Sequence, residues 1–138
     1  MNLNTVKIKP ELLNIALLIL RLVMGTMMIA NHGWTKVVKY EVLKTEFFSF
    51  LGLGSQFSLI LAILAEILCS ILVIFGLFTR AALVPLIITM LVAVSINNWE
   101  LFGKAEMGFL YLTGFLFLLL VGPGEKSIDY KMSRKSYF

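Results

Sequence analysis

Long apolar runs broken by short polar stretches dominate the chain. Four runs stand out, at about 12–31, 57–78, 81–98 and 105–121. A helix crossing the bilayer core needs about 20 residues. Each run therefore reads as a span, the last two with their polar ends in the headgroup layer. The first run is too long in its apolar part, and carries an Arg near its centre, to be a cleaved signal peptide. Between the first two runs, Tyr40, Leu43, Phe47, Phe50 and Leu51 recur at helical spacing, with Lys39, Glu41, Lys44 and Glu46 opposite. That pattern predicts a helix lying in the membrane interface, ended by Gly52-Leu53-Gly54. The expected fold is all-α: an integral membrane four-helix bundle with an additional interfacial helix between spans one and two. One transmembrane domain is expected over residues 1–138, with a flexible basic tail at 125–138.

Composition removes the soluble alternatives. The chain is 59% hydrophobic and 14% charged, where soluble domains average about 45–50% and about 25%. So little polar surface does not cover so much apolar side chain in a short soluble domain. The net charge of +4 comes from 12 Lys+Arg against 8 Asp+Glu. These cations sit in short clusters without the aromatic interleaving of a nucleic-acid surface, so the expected partner is the lipid bilayer and not nucleic acid. Lys7, Lys9, Arg80, Lys126, Lys131, Arg134 and Lys135 fall on the side of the termini, and Lys36, Lys39, Lys44 and Lys104 on the other. That bias predicts both termini in the cytoplasm. Cys69 is the single cysteine, which excludes dithiol chemistry and cysteine-rich zinc sites within the chain. The one histidine excludes a haem held by two His of one chain. His32 and Glu106 are the obvious metal ligands, and two are too few for a metal site.

Charged groups inside a bilayer cost roughly 2.5–3.5 kcal/mol each on insertion scales. Arg21 and Glu66 both lie within apolar runs. Arg21 is about ten residues from its end of helix one and Glu66 about twelve from the same end of helix two, or ~15 Å and ~18 Å at ~1.5 Å per residue. The agreement predicts that they meet near the midplane, facing the bundle interior. Arg21, Gly25, Met28 and His32 share one helical face, and Ala62, Cys69, Ser70 and Val73 flank Glu66. At the opposite end His32 and Trp34, Asn97 to Trp99, and Glu106 gather at one interface. The candidate catalytic residues are Arg21, Glu66, His32 and Glu106, and the candidate cofactor contacts are Arg21, Gly25, Glu66, Cys69 and Asn97. A purely structural Arg21–Glu66 pair is the open alternative, because buried pairs also fix register and partner choice.

Arg21 with Gly25, His32-Gly33 with Lys36, Phe47-Phe48 running into Leu51-Gly52-Leu53, and Ala65-Glu66 occur in that order. Gly76-Leu77-Phe78-Thr79-Arg80, Glu106, and Gly122-Pro123-Gly124 followed by Ser127-Ile128-Asp129 complete the set. Together these residues resemble the DoxX family of small membrane proteins, from about 15 to 130. Glu125-Lys126 in the closing turn and the Asn97-Asn98 pair depart from its pattern. The resemblance implies a multi-pass bacterial inner-membrane protein that serves quinone-linked redox chemistry, since relatives are subunits of thiosulfate:quinone oxidoreductases. It implies quinone as the cofactor, although no motif here encodes one, and a small sulfur or thiol substrate class. Soluble or membrane oxidoreductase subunits are the implied partners, with self-association as a further possibility for so thin a bundle. Arg21 would donate to a quinone oxygen or anionic substrate, and His32 and Glu106 would exchange protons at the outer mouth. Against the enzyme subunit stands a non-enzymatic membrane scaffold, assembly module or small-molecule carrier.

Overall fold

The computed structural model describes residues 7–135, and among them every regular element is helical. Helix α1 (Pro10–Met28) opens with Pro10 in its first turn, where a missing N–H costs nothing. It passes through a π-turn at Ile29–Gly33 into α2 (Trp34–Val38), making one apolar rod of 29 residues. A short α3 (Tyr40–Glu46) and a single 3₁₀ turn (Phe50–Gly52) lead into α4 (Ser55–Leu64). A second π-turn, Ala65–Cys69, joins α4 to α5 (Ser70–Phe75), giving a rod of 21 residues. Then come α6 (Thr79–Ile96), α7 (Glu106–Val121) and α8 (Ile128–Lys135). Among the described residues three rods are long and apolar enough to cross a membrane, and α7 is a shorter apolar helix.

The stops are legible chemistry. Gly76 takes the left-handed conformation (φ +67°) that ends α5, and Gly122 (φ +92°) ends α7 just before Pro123. Four rods pack as a bundle, α6 along α7 and α1 along α5. Leu17, Met28, Val73, Leu83, Leu86, Met90, Phe115 and Leu118 fill the centre. Ile19, Leu64, Leu68, Leu110, Phe117 and Leu120 stay exposed on the outside. An apolar exterior around a packed apolar centre is the mark of a bundle whose solvent is lipid. The chain is an all-α membrane bundle.

Three expectations change. The first span does not end near residue 31: Gly33 keeps right-handed helical angles (φ −62°), so the rod continues to Val38. The helix after it ends at Glu46 and not at Leu51, because Phe47 turns extended (φ −66°, ψ 147°). Residues 47–54 form a strap tied to α4 by the Phe50 N–H donating to Ser58 Oγ and closed on itself by the Gly54 N–H donating to Ser49 Oγ, each at 2.9 Å. The segment expected as a flexible tail is tied to the bundle as far as Lys135, while residues 136–138 lie outside the described part. Asp129 fastens it. Its carboxylate accepts the N–H groups of Phe78 and Thr79 and the Thr79 hydroxyl, at 2.7–2.8 Å, and so caps α6.

Candidate functional site

The two π-turns face each other. A π-turn inserts one residue into the helical ladder and is frequent at functional sites. Here the pair allows a close approach at Gly33, where an added Cβ would stand 2.6 Å from Ile67 Cγ1 and 3.4 Å from Glu66 Cβ. One helical turn beyond Gly33, Lys36 reaches across. Its Nζ donates to both Glu66 carboxylate oxygens, each at 2.7 Å. Glu66 is 1% exposed and the Lys36 side chain 19%. Two N–H bonds and a full counter-charge compensate the desolvation of this carboxylate.

Beside the pair lies a cavity of about 410 Å³. The strap contributes Phe47, Phe48 and Phe50, α4 contributes Leu61 and Ala62, and α6 contributes Pro85, Ile88 and Ala93, with Asn97 just after it. Alanines at 62, 65 and 93 leave the space that larger side chains would fill. The neutral polar side chains on the wall bond back to their own helices. Ser58 Oγ donates to Gly54 O at 2.7 Å, Thr89 Oγ1 to Pro85 O at 2.8 Å, and Asn97 Nδ2 to Ala93 O at 2.8 Å. Lys36 and Glu66 are the charged groups on a wall that is otherwise uncharged and mostly apolar and aromatic.

Arg21 is not part of it. The guanidinium is fully buried, but its Nη1 donates to Val73 O and Ile74 O at 3.4 and 3.3 Å, and its Nη2 to Lys126 O at 2.7 Å. It thus serves the carbonyl end of α5, where a cation also meets the negative pole of the helix. The Nε is left without a partner. Gly76, which ends α5, has no Cβ to block the guanidinium from that place. The expected Arg21–Glu66 pair is therefore overturned. The depths agree only if the two helices start level, and they do not. Gly25 packs on Ser70 and Ile74, and Gly33 on Glu66 and Ile67. Along that antiparallel register Arg21 lies about twelve residues, roughly 18 Å, below the level of Glu66.

The other candidates separate too. Asn97 lines the cavity with Glu66. Gly25 is a packing glycine, since a Cβ there would meet Ile74 Cγ1 at 2.5 Å and Ser70 O at 3.1 Å. Cys69 is half-buried against the apolar core. His32 is half-buried and meets the Tyr111 ring edge-on, centroids 5.1 Å apart at 88°, on the side of α7 and away from the cavity. Glu106 is exposed at the start of α7. Among the described residues no three His, Cys, Asp or Glu side chains gather as a metal site would need. Lys36, which reads in sequence as one more loop cation, becomes the central group. Its signal lies in the spacing His32-Gly33-x-x-Lys36, which places it on the Gly33 face once the helix is known to continue.

The DoxX family profile matches residues 16–99, more than half of the chain. The chain belongs to the DoxX family. The matched stretch of this DoxX protein includes Arg21, Gly33, Lys36, Glu66, Arg80 and every residue of the cavity wall, and ends before Glu106 and the Asp129 clasp. Similar to it is an uncharacterized membrane protein of Mycobacterium tuberculosis, Rv3486, 34% identical over 86 residues. That match covers 51% of this chain and 53% of the relative, so the chain spans about half of the relative's length. No solved structure matches the chain.

Proposed function

We propose that the cavity beside Lys36 and Glu66 binds the ring of a lipid quinone, and that this DoxX protein is a membrane subunit of a quinone-linked oxidoreductase system. One observation carries the reading: an internally neutralised ion pair forms the charged part of an aromatic and alanine-lined cavity. Its volume, about 410 Å³, lies within the roughly 300–1,000 Å³ of small-molecule sites. An apolar wall with net-neutral charge favours a neutral ring over an anion, which would lose its hydration and face the Glu66 carboxylate. Lys36 is the donor suited to a ring carbonyl, with Phe47, Phe48 and Phe50 as stacking surfaces and Glu66 orienting the ammonium. A quinone would supply two-electron chemistry when bound. The chain's own groups bind and orient, and partner subunits handle electrons and any small sulfur or thiol substrate. The cation bias supports, within this reading, termini in the cytoplasm of a bacterial inner membrane.

The test is a titration of decyl-ubiquinone into the detergent-solubilised protein, followed by tryptophan fluorescence, since Trp34 is two residues from Lys36. Lys36→Gln alone strands a buried carboxylate, so the neutral double variant Lys36→Gln with Glu66→Gln is the informative one. It is expected to weaken binding about tenfold, the scale of one hydrogen bond to a charged donor, and Ala62→Phe to abolish binding by filling the cavity. Unchanged affinity in both variants, with normal melting, overturns the proposal.

A scaffold or carrier role draws on a different observation, that Lys36 already occupies both Glu66 oxygens. It predicts that the exchange Lys36→Glu with Glu66→Lys restores assembly and partner activity together. A ring site that needs the amine on the α2 side regains assembly alone.

A further inference from the structure

A second cavity, about 640 Å³, opens at the other end of the bundle, between the start of α1, the first turn of α6, the end of α7 and α8. Leu13, Leu17, Ala81 and Val121 make its wall apolar. Arg80 stands on its edge as the second residue of α6, exposed and without an ion pair among the described residues. Two acids line the same cavity. Asp129 is committed to the cap of α6, and Glu125 is exposed. This end also carries Lys7, Lys9, Lys126, Lys131, Arg134 and Lys135 with Arg80, against Glu11, Glu125 and Asp129. With the buried Arg21, whose Nη2 meets Lys126 O, eight cations over three acids give this end +5 and leave −1 for the remainder of the molecule.

We propose that this groove is a binding site for an anionic phospholipid. An acyl chain lies along Leu13, Leu17 and Val121, and the phosphate meets the Arg80 guanidinium. The level is right for it: Arg80 is at the boundary where an apolar helix begins, which is where headgroup phosphates lie. Each chemical half of the groove matches one half of the ligand. The apolar wall suits a hydrocarbon chain and not a free phosphate, and the concentrated positive charge prefers a net-negative headgroup to a zwitterionic one. The α6 N-terminus does not compete for the phosphate, because Asp129 already occupies its N–H groups.

Native mass spectrometry of the protein in a neutral detergent tests this, with phosphatidylglycerol, phosphatidylcholine or glycerol 3-phosphate added in turn. Phosphatidylglycerol is expected to remain bound in preference to phosphatidylcholine, and glycerol 3-phosphate, which lacks chains, not to be retained. Arg80→Gln should reduce phosphatidylglycerol retention about fivefold, the scale of one surface cation. Arg80→Lys should keep most of it, and Lys104→Gln at the opposite end should leave it unchanged. Val121→Trp, which fills the groove without touching charge, should lower retention of the lipid. Equal retention of the two lipids by the unaltered protein overturns the proposal without any variant. So does retention of glycerol 3-phosphate, or full retention in both Arg80→Gln and Val121→Trp.

Discussion

Two cations on the same helical rod, Lys36 near its end and Arg21 near its middle, differ in whether a cavity opens beside them. Lys36 meets a carboxylate beside an open cavity. Arg21 meets three carbonyl oxygens and leaves no space around its guanidinium that a ligand would enter. Both groups are expensive to bury, and both are compensated. What separates them is the partner. A backbone carbonyl at a helix end is an acceptor the fold must satisfy in any case, so an Arg that serves it does structural work. A carboxylate placed at the junction of two π-turns is an acceptor the fold did not need, and its presence beside unfilled space requires another reason.

The sharpest way to break this contrast is Arg21→Leu. Ile74 O and Lys126 O lose a donor and Val73 O one of two, and the expected destabilisation is about 3 kcal/mol. A thermal melt in detergent should show it, while the folded fraction keeps the proposed quinone affinity. Arg21→Lys should recover only part of the loss, because an ammonium lacks the planar fork that reaches α5 and Lys126 at once. A quinone affinity that falls with Arg21→Leu in correctly folded protein would join the two cations in one site.

Gly33→Ala is expected to cost about 1–3 kcal/mol, the range for forcing extra volume into a packed interface. Because the added methyl presses on Ile67 and Glu66, it should also weaken quinone binding. Gly25→Ala, pressing on Ile74 and Ser70, should cost stability alone. Equal effects of the two changes on binding would remove the link between the π-turns and the cavity. The smallest change is Asp129→Ala, which strips the cap of α6 for about 1 kcal/mol. Limited proteolysis should then release α8 with the helical rods intact. A protected α8 in that variant would show that the backbone ties, Arg21 to Lys126 O, the residue-129 N–H to Gly76 O and the Glu125 N–H to Asn14 Oδ1, hold the segment without the carboxylate.

Particular residues show how far linear reading reaches. Glu66 stands out in any hydropathy scan, and its cost at depth predicts a partner correctly. The partner is wrong because depth along one helix says nothing about its offset from the next. That offset is set where Gly25 and Gly33 allow α1 and its π-turn to close on the second rod. Lys36 is hidden by the assumption that helix one stops near residue 31. A π-turn continues the ladder with one extra residue and carries no local sequence mark that distinguishes it from a helix end. Phe47 and Phe50 fit a helical stripe equally well, but Phe47 turns extended and the Phe50 N–H goes to Ser58 Oγ, a residue eight positions on.

By itself, the sequence determined the class, the number of apolar rods, their approximate ends and the presence of charges at unusual depth. These follow from a solvent that cannot hydrogen-bond to the backbone, so long apolar runs become helices and glycines end them. Only the tertiary structure decided which charge meets which partner, that Lys36 belongs to the cavity, and that the basic tail is a clasp. Those depend on the axial offset between packed helices. That offset follows from side-chain volumes across an interface, which no single stretch of chain contains.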